Sequence, residues 1–188
     1  MENTKSAVIK SVLLVVFGAL VVLGLFLLFT RNHRSSNEEN YTLTVVDQIT
    51  TTNLEKDYPA NPRKVVEMYA NIMKVLYKET YTDDQQKKML EVLEGLMDDE
   101  LLANQSNFYQ SMKNEVKTRR DEDYSIPTYQ VQSREPEVVT VDGRKMCNVD
   151  CYLNLRKGTS SQGLYYMFIL RQDDSGKWKI LGWTQKAN

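Results

Sequence analysis

Histidine is almost missing from this chain. The single one, His33, stands three residues past the longest apolar run, outside the part that can fold into a domain. A His–Asp pair is therefore not available to work as a base inside a pocket. Cysteine is nearly as scarce, with Cys147 and Cys151 the only two. Two thiols without a histidine or a further cysteine cannot complete a zinc site. In a strand, four residues place their Cα atoms about 13 Å apart, beyond the ~7 Å limit of a disulfide. They read as small buried hydrophobes. The 24 basic and 25 acidic residues are interspersed and leave a net charge of −1. With no basic block, nucleic acid is excluded as a partner. The acidic clusters Asp98-Asp99-Glu100 and Asp121-Glu122-Asp123 lack the spacing of a calcium loop. No motif calls for a cofactor, and none assigns a catalytic residue or a metal ligand.

What the chain does have is one long uncharged stretch, "SVLLVVFGALVVLGLFLLFT", Ser11–Thr30, in which fifteen of twenty residues are Val, Leu or Phe. As a helix it would rise about 30 Å, enough to cross the hydrocarbon core of a bilayer. Its length and the lack of a small-x-small pair before Arg31 argue against a cleaved leader. No cysteine near its end suggests a lipid anchor. The expected organisation is a cytoplasmic tail (1–10), a transmembrane helix (11–30), a stalk and unassigned lead-in (31–58) and a folded domain (59–188). Lys5 and Lys10 on one flank balance Arg31 and Arg34 on the other. The free amino terminus tips the orientation towards N-terminus inside, with the domain outside the cytoplasm. Gly18 and Gly24 are six apart, so the close-packing GxxxG signal is absent.

Helical periodicity begins at "YPANPRKVVEMYANIMKVLYKETY". Asn61 can cap and Pro62 fits the first turn. Val65, Tyr69, Ile72 and Leu76 then form a stripe, with Val66, Ala70, Met73 and Tyr77 beside it. A second helix starts at the Thr82/Gln85 capping-box pair, and its apolar stripe is Met89, Val92, Leu93, Leu96 and Met97. A third runs over about 106–120 with Phe108, Met112 and Val116. Beyond Pro127 the period becomes two, with hairpin punctuation at Asp142-Gly143, "KGTSSQG" and "DDSGK". Cys147, Val149, Cys151, Leu153 and Leu155 share the core face of one long strand, while Asp150 on the other reads as solvated surface. Three helices followed by about four antiparallel strands make an α+β domain.

The stretches "YPANPRKVVEMY", "DDELLANQ" and "DDSGKWKILGW" carry two resemblances. The chain resembles a family of small single-span membrane proteins of Gram-positive bacteria with no assigned activity. More broadly, its order of elements is similar to the nuclear transport factor 2-like superfamily, a cone in which helices cover a curved sheet. The resemblance implies a membrane-tethered, extracytoplasmic cone, and sheet-face homodimers are common among proteins of that kind.

Three functions compete. The leading expectation is a non-catalytic domain, anchored in the bilayer through Ser11–Thr30, that binds a protein partner or envelope component through its open sheet face. Tyr152, Tyr165 or Tyr166, and Trp183 or Trp178 are the candidates for that face. By strict alternation Trp178 shares a side with Ile180 and Gly182, and Trp183 lies opposite, so the two indoles face opposite sides of the sheet. Gly182 would leave a gap for the ring of Tyr166 or Phe168. The second expectation is a small-ligand binder lined by Tyr69, Tyr77 and Phe168. The third is an enzyme built on that pocket, for which no inward carboxylate is evident.

Overall fold

The computed structural model describes residues 43–186. The expected tail, the span at Ser11–Thr30, His33 and the first part of the stalk lie outside the described residues.

Each helix begins at a side chain that satisfies its first amides. Thr44 and Asp47 form a capping box around α1 (Val45–Thr50), and Asn61 accepts from the Lys64 amide to start α2 (Pro62–Lys78). Thr82 and Gln85 box the start of α3 (Asp83–Gly95), Asp98 caps α4 (Asp99–Ala103), and Asn107 caps α5 (Phe108–Asp121). α1 is short and stable only through packing: Val46 and Ile49 are buried in the common core, and the helix lies against α3.

Five strands follow: β1 (Tyr124–Val131), β2 (Val138–Val141), β3 (Arg144–Lys157), β4 (Ser160–Gln172) and β5 (Trp178–Gln185). All pair antiparallel, in the order β1-β3-β4-β5, with β2 also on β3. β4 takes one edge of β3 over Met146–Lys157, so β1 and β2 share the other edge end to end. Gln132 mends the ladder between them. Its amide donates to the Asp150 carbonyl (2.9 Å), and its side-chain oxygen accepts from the Asp150 amide (2.8 Å). The β2–β3 turn needs left-handed backbone at both central residues, Asp142 (φ 49°) and Gly143 (φ 78°).

The core lies between the helices and one face of the sheet. Cys147, Val149 and Cys151 of β3, Phe168 and Leu170 of β4, and Ile180 of β5 meet Val65, Ile72 and Leu76 of α2 and Leu90 and Leu93 of α3 in one cluster. Each large apolar side chain so buried contributes roughly 1.5–3 kcal/mol. The free edge of β5 is partly covered by the segment after α3. Ile180 donates to the Leu96 carbonyl, and its own carbonyl accepts from the Asp98 amide, both at 2.9 Å. Asp98 then clamps this segment to β4 by a bidentate pair with Arg171, Nε to Oδ2 at 2.9 Å and Nη2 to Oδ1. Glu100 takes the remaining edge of the guanidinium at 2.8 Å.

The expected transmembrane helix followed by a nuclear transport factor 2-like cone of three helices and about four strands does not stand as the fold. The described chain is α+β with five helices and a five-stranded antiparallel sheet. Among the described residues no helix is long and apolar enough to cross a membrane.

The tryptophans do not face opposite sides of the sheet as strict alternation predicts. Leu170 pairs with Ile180 but Ile169 pairs with Gly182, so Leu181 is an extra residue in β5. This bulge resets the alternation. Trp183 comes opposite Phe168, whose side chain is fully buried, and both indoles therefore belong to the helix-covered side of the sheet.

Candidate ligand pocket

α2 presents Tyr69, Met73 and Tyr77, each four residues after the last and so on one face of the helix. α5 crosses nearby and presents Met112, Glu115 and Arg119 on a similar stripe. The inner face of the sheet adds Ile126, Leu153, Leu155, Leu164, Tyr166, Phe168 and Trp183. These side chains enclose a cavity of about 240 Å³.

Its aromatic end is a cluster of three rings, one pair edge to face and two tilted. The Tyr69 ring stands 5.1 Å from that of Phe168 at 64°, and 5.7 Å from that of Trp183. Phe168 and Trp183 are 6.0 Å apart. Such pairs hold rings in fixed orientation. Trp183 is 37 % exposed, so the wall it forms reaches solvent, whereas Tyr69 is only 8 % exposed.

The polar groups are few. Burial, with smaller contributions from neighbouring Tyr77, Tyr166, Cys151 and Glu115, pushes the Tyr69 hydroxyl well above the usual phenol range. Burial raises Tyr77 to about 12, reinforced by Glu115 and opposed by Arg119. Tyr166 is raised as well, chiefly by burial. All three hydroxyls therefore stay protonated at neutral pH and can donate a hydrogen bond. The charged pair on α5 is closed on itself: Arg119 Nε donates to Glu115 Oε1 at 2.7 Å. The guanidinium also lies over the Tyr124 ring, 5.0 Å from its centroid. Both cysteines line the core face of β3, where burial pushes each thiol to about 12. Neither is a nucleophile at neutral pH. Among the described residues no cluster of three or more His, Cys, Asp or Glu is placed to hold a metal ion.

Tyr69, Tyr77 and Phe168, the pocket candidates of the sequence, thus line one cavity. The sheet-face candidates divide. Tyr152 and Tyr165 are cross-strand partners on the open face with ring centroids 5.0 Å apart, and Tyr165 is exposed. Tyr166 and Trp183 line the cavity instead. Trp178 packs against the core, and its carbonyl accepts the Tyr58 hydroxyl at 2.7 Å. The glycine over which a ring settles is Gly163, not Gly182. A Cβ at Gly163 would lie 2.7 Å from Tyr152, while at Gly182 it would meet nothing. Asp150 lies on the open face, paired with Lys186 at 2.7 Å. Glu115 and Arg119 were not among the sequence candidates. Their four-residue spacing is common to any exposed helical ion pair, and only the stripe shared with Met112 hinted at the cavity.

A broader depression of about 730 Å³ runs beside β2, lined by Arg134, Glu135, Glu137, Val139 and Val141. Its β2 residues are exposed, and no hydroxyl or aromatic ring lines it. The smaller cavity under the helices has the more specific lining. Residues 1–183 match a domain of unknown function, DUF6715. The chain belongs to the DUF6715 family. No curated protein matches this DUF6715 chain in sequence, so the chemistry of the pocket has to speak for it.

Proposed function

We propose that this DUF6715 domain is a non-catalytic binding module whose cavity takes a small ring-bearing ligand. One observation carries the reading: three tyrosines with protonated hydroxyls and the ring of Trp183 line a cavity of about 240 Å³ whose only charged lining is the mutually bonded pair Glu115 and Arg119. The uncharged run Ser11–Thr30 supports attachment at the membrane. No thiol or imidazole among the lining residues offers a ready nucleophile or base, and the one carboxylate, Glu115, is engaged by Arg119. Binding is the chemistry that remains.

Calorimetric titration of the full-length chain with 2-naphthol tests this. A ligand of about ten heavy atoms, at the efficiencies of small ligands, should bind with a Kd on the order of 10–100 μM. Leu164→Trp, which fills the cavity from its strand wall, should abolish the heat of binding while leaving the circular dichroism unchanged. Absence of binding to the wild type, or equal binding to the filled variant, would overturn the proposal. That result would favour a second reading, in which the domain engages a protein partner or a second copy through its open sheet face. Tyr165, Val139 and Val141, all about half exposed, are the observation that supports it.

A further inference from the structure

The same cavity carries a selectivity that its charged pair determines, given that it is a ligand site at all. We infer that it accepts uncharged ring compounds bearing one hydrogen-bonding oxygen and rejects the corresponding carboxylates, and that Glu115 is the residue that rejects them.

The apolar walls and the Tyr69–Phe168–Trp183 cluster suit a flat ring. The three tyrosine hydroxyls are donors, so a carbonyl or hydroxyl oxygen on that ring finds a partner. A carboxylate would find those donors too, and charge decides between the two ligands. Only two charged side chains line the cavity, Glu115 and Arg119. They stand one helical turn apart on α5 and are bonded to each other at 2.7 Å, with side chains 43 % and 37 % exposed. The guanidinium has its Nε committed to Glu115 and its face on Tyr124. With its cation so engaged, the cavity presents no net charge to an entering ligand.

An anion would therefore surrender its water for a site with no unmatched cation. It would also meet the field of Glu115 at the aromatic end, where that carboxylate contributes to raising the Tyr69 hydroxyl with no opposition from Arg119; at Tyr77 Arg119 opposes it, and at Tyr166 Arg119 has the larger effect. A neutral ligand meets neither cost. Neutralising Glu115 would leave the amide able to accept from Arg119 while releasing the positive charge, and should admit anions.

The experiment titrates the full-length wild type and Glu115→Gln with 2-naphthol and 2-naphthoate by calorimetry. The wild type should bind 2-naphthol at least about tenfold more tightly than 2-naphthoate. Glu115→Gln should tighten 2-naphthoate about tenfold and leave 2-naphthol within about threefold. Glu115→Ala repeats the switch without the amide, should the glutamine variant be poorly folded. A wild type that prefers 2-naphthoate would overturn the inference while leaving the ring-binding function intact. A variant whose preference does not move would overturn the assignment to Glu115. If 2-naphthol itself fails to bind, the underlying function falls, and this selectivity with it.

Discussion

Asp98→Asn isolates a charge at the point where the helical layer is tied to the sheet. Asparagine keeps a side-chain oxygen to accept from the Glu100 amide, now at 2.9 Å, so the cap of α4 survives. The change falls on the clamp to Arg171. One of the two oxygens that the guanidinium grips becomes an amide nitrogen, setting donor against donor. Asp98 is only 4 % exposed and the Arg171 side chain 15 %, so water cannot repair the loss. Removing one partner of a buried pair costs about 3–5 kcal/mol. Here Glu100 still holds the guanidinium at 2.8 Å, and the retained oxygen keeps one contact, which lowers the expectation to about 2–3 kcal/mol. Urea unfolding of the full-length chain, followed by circular dichroism, measures it directly. The matched control is Glu100→Gln, a side chain that is itself 59 % exposed and whose loss should cost less than about 1 kcal/mol. An Asp98→Asn variant within about 0.5 kcal/mol of wild type would refute the reasoning, since no discount for residual contacts reaches that low.

Two further perturbations have signs that the structure fixes. Burial raises Cys147, Cys151 and Tyr77 to about 12, so the unfolded chain loses these protons first as pH rises. Stability should hold up to about pH 8.5, then fall steadily towards pH 12, by up to about 1.4 kcal/mol per pH unit for each group that titrates. Urea midpoints measured against pH should show a shallower fall for Cys147→Ala/Cys151→Ala, and an unchanged slope would count against buried, protonated thiols. Gly163→Ala places a methyl 2.7 Å from the Tyr152 ring and should displace it from Tyr165, at a cost of about 0.5–1.5 kcal/mol. In a Tyr152→Ala background the same change should instead stabilise by a few tenths to about 1 kcal/mol, through the unfolded state, and a failure of the sign to reverse in thermal melts would disprove the close approach.

Local signals in the sequence were readable wherever a few neighbouring residues determine the outcome. Asn61 before Pro62, and Thr82 three residues before Gln85, start helices in the structure as their hydrogen-bonding chemistry dictates. Tyr69 and Tyr77 follow from helical period alone. α1 escaped, although Thr44 and Asp47 form its capping box, because six residues do not establish a period and its stability comes from Val46 and Ile49 against the distant α3. Trp183 escaped for a deeper reason. Its face depends on which residue of β4 it pairs with, and the bulge at Leu181 is a property of two strands, invisible in one. Glu115 and Arg119 lie on a helix that buries only Phe108 and Val116 fully, so their stripe offered little apolar contrast.

The bulge at Leu181 also changes how related chains should be compared. Five positions separate the two indoles, an odd number that a flat ladder would send to opposite sides. The extra residue turns that odd interval into an even one in space. A DUF6715 relative whose second aromatic residue follows four positions after the first, on an unbroken ladder, would turn it to the same side of the sheet. One with five positions and no bulge would turn its second ring out to the open face. The interval between these rings thus works as a phase marker: read together with strand pairing, it tells which members of the family keep an aromatic wall on the cavity and which have given it to the outer surface.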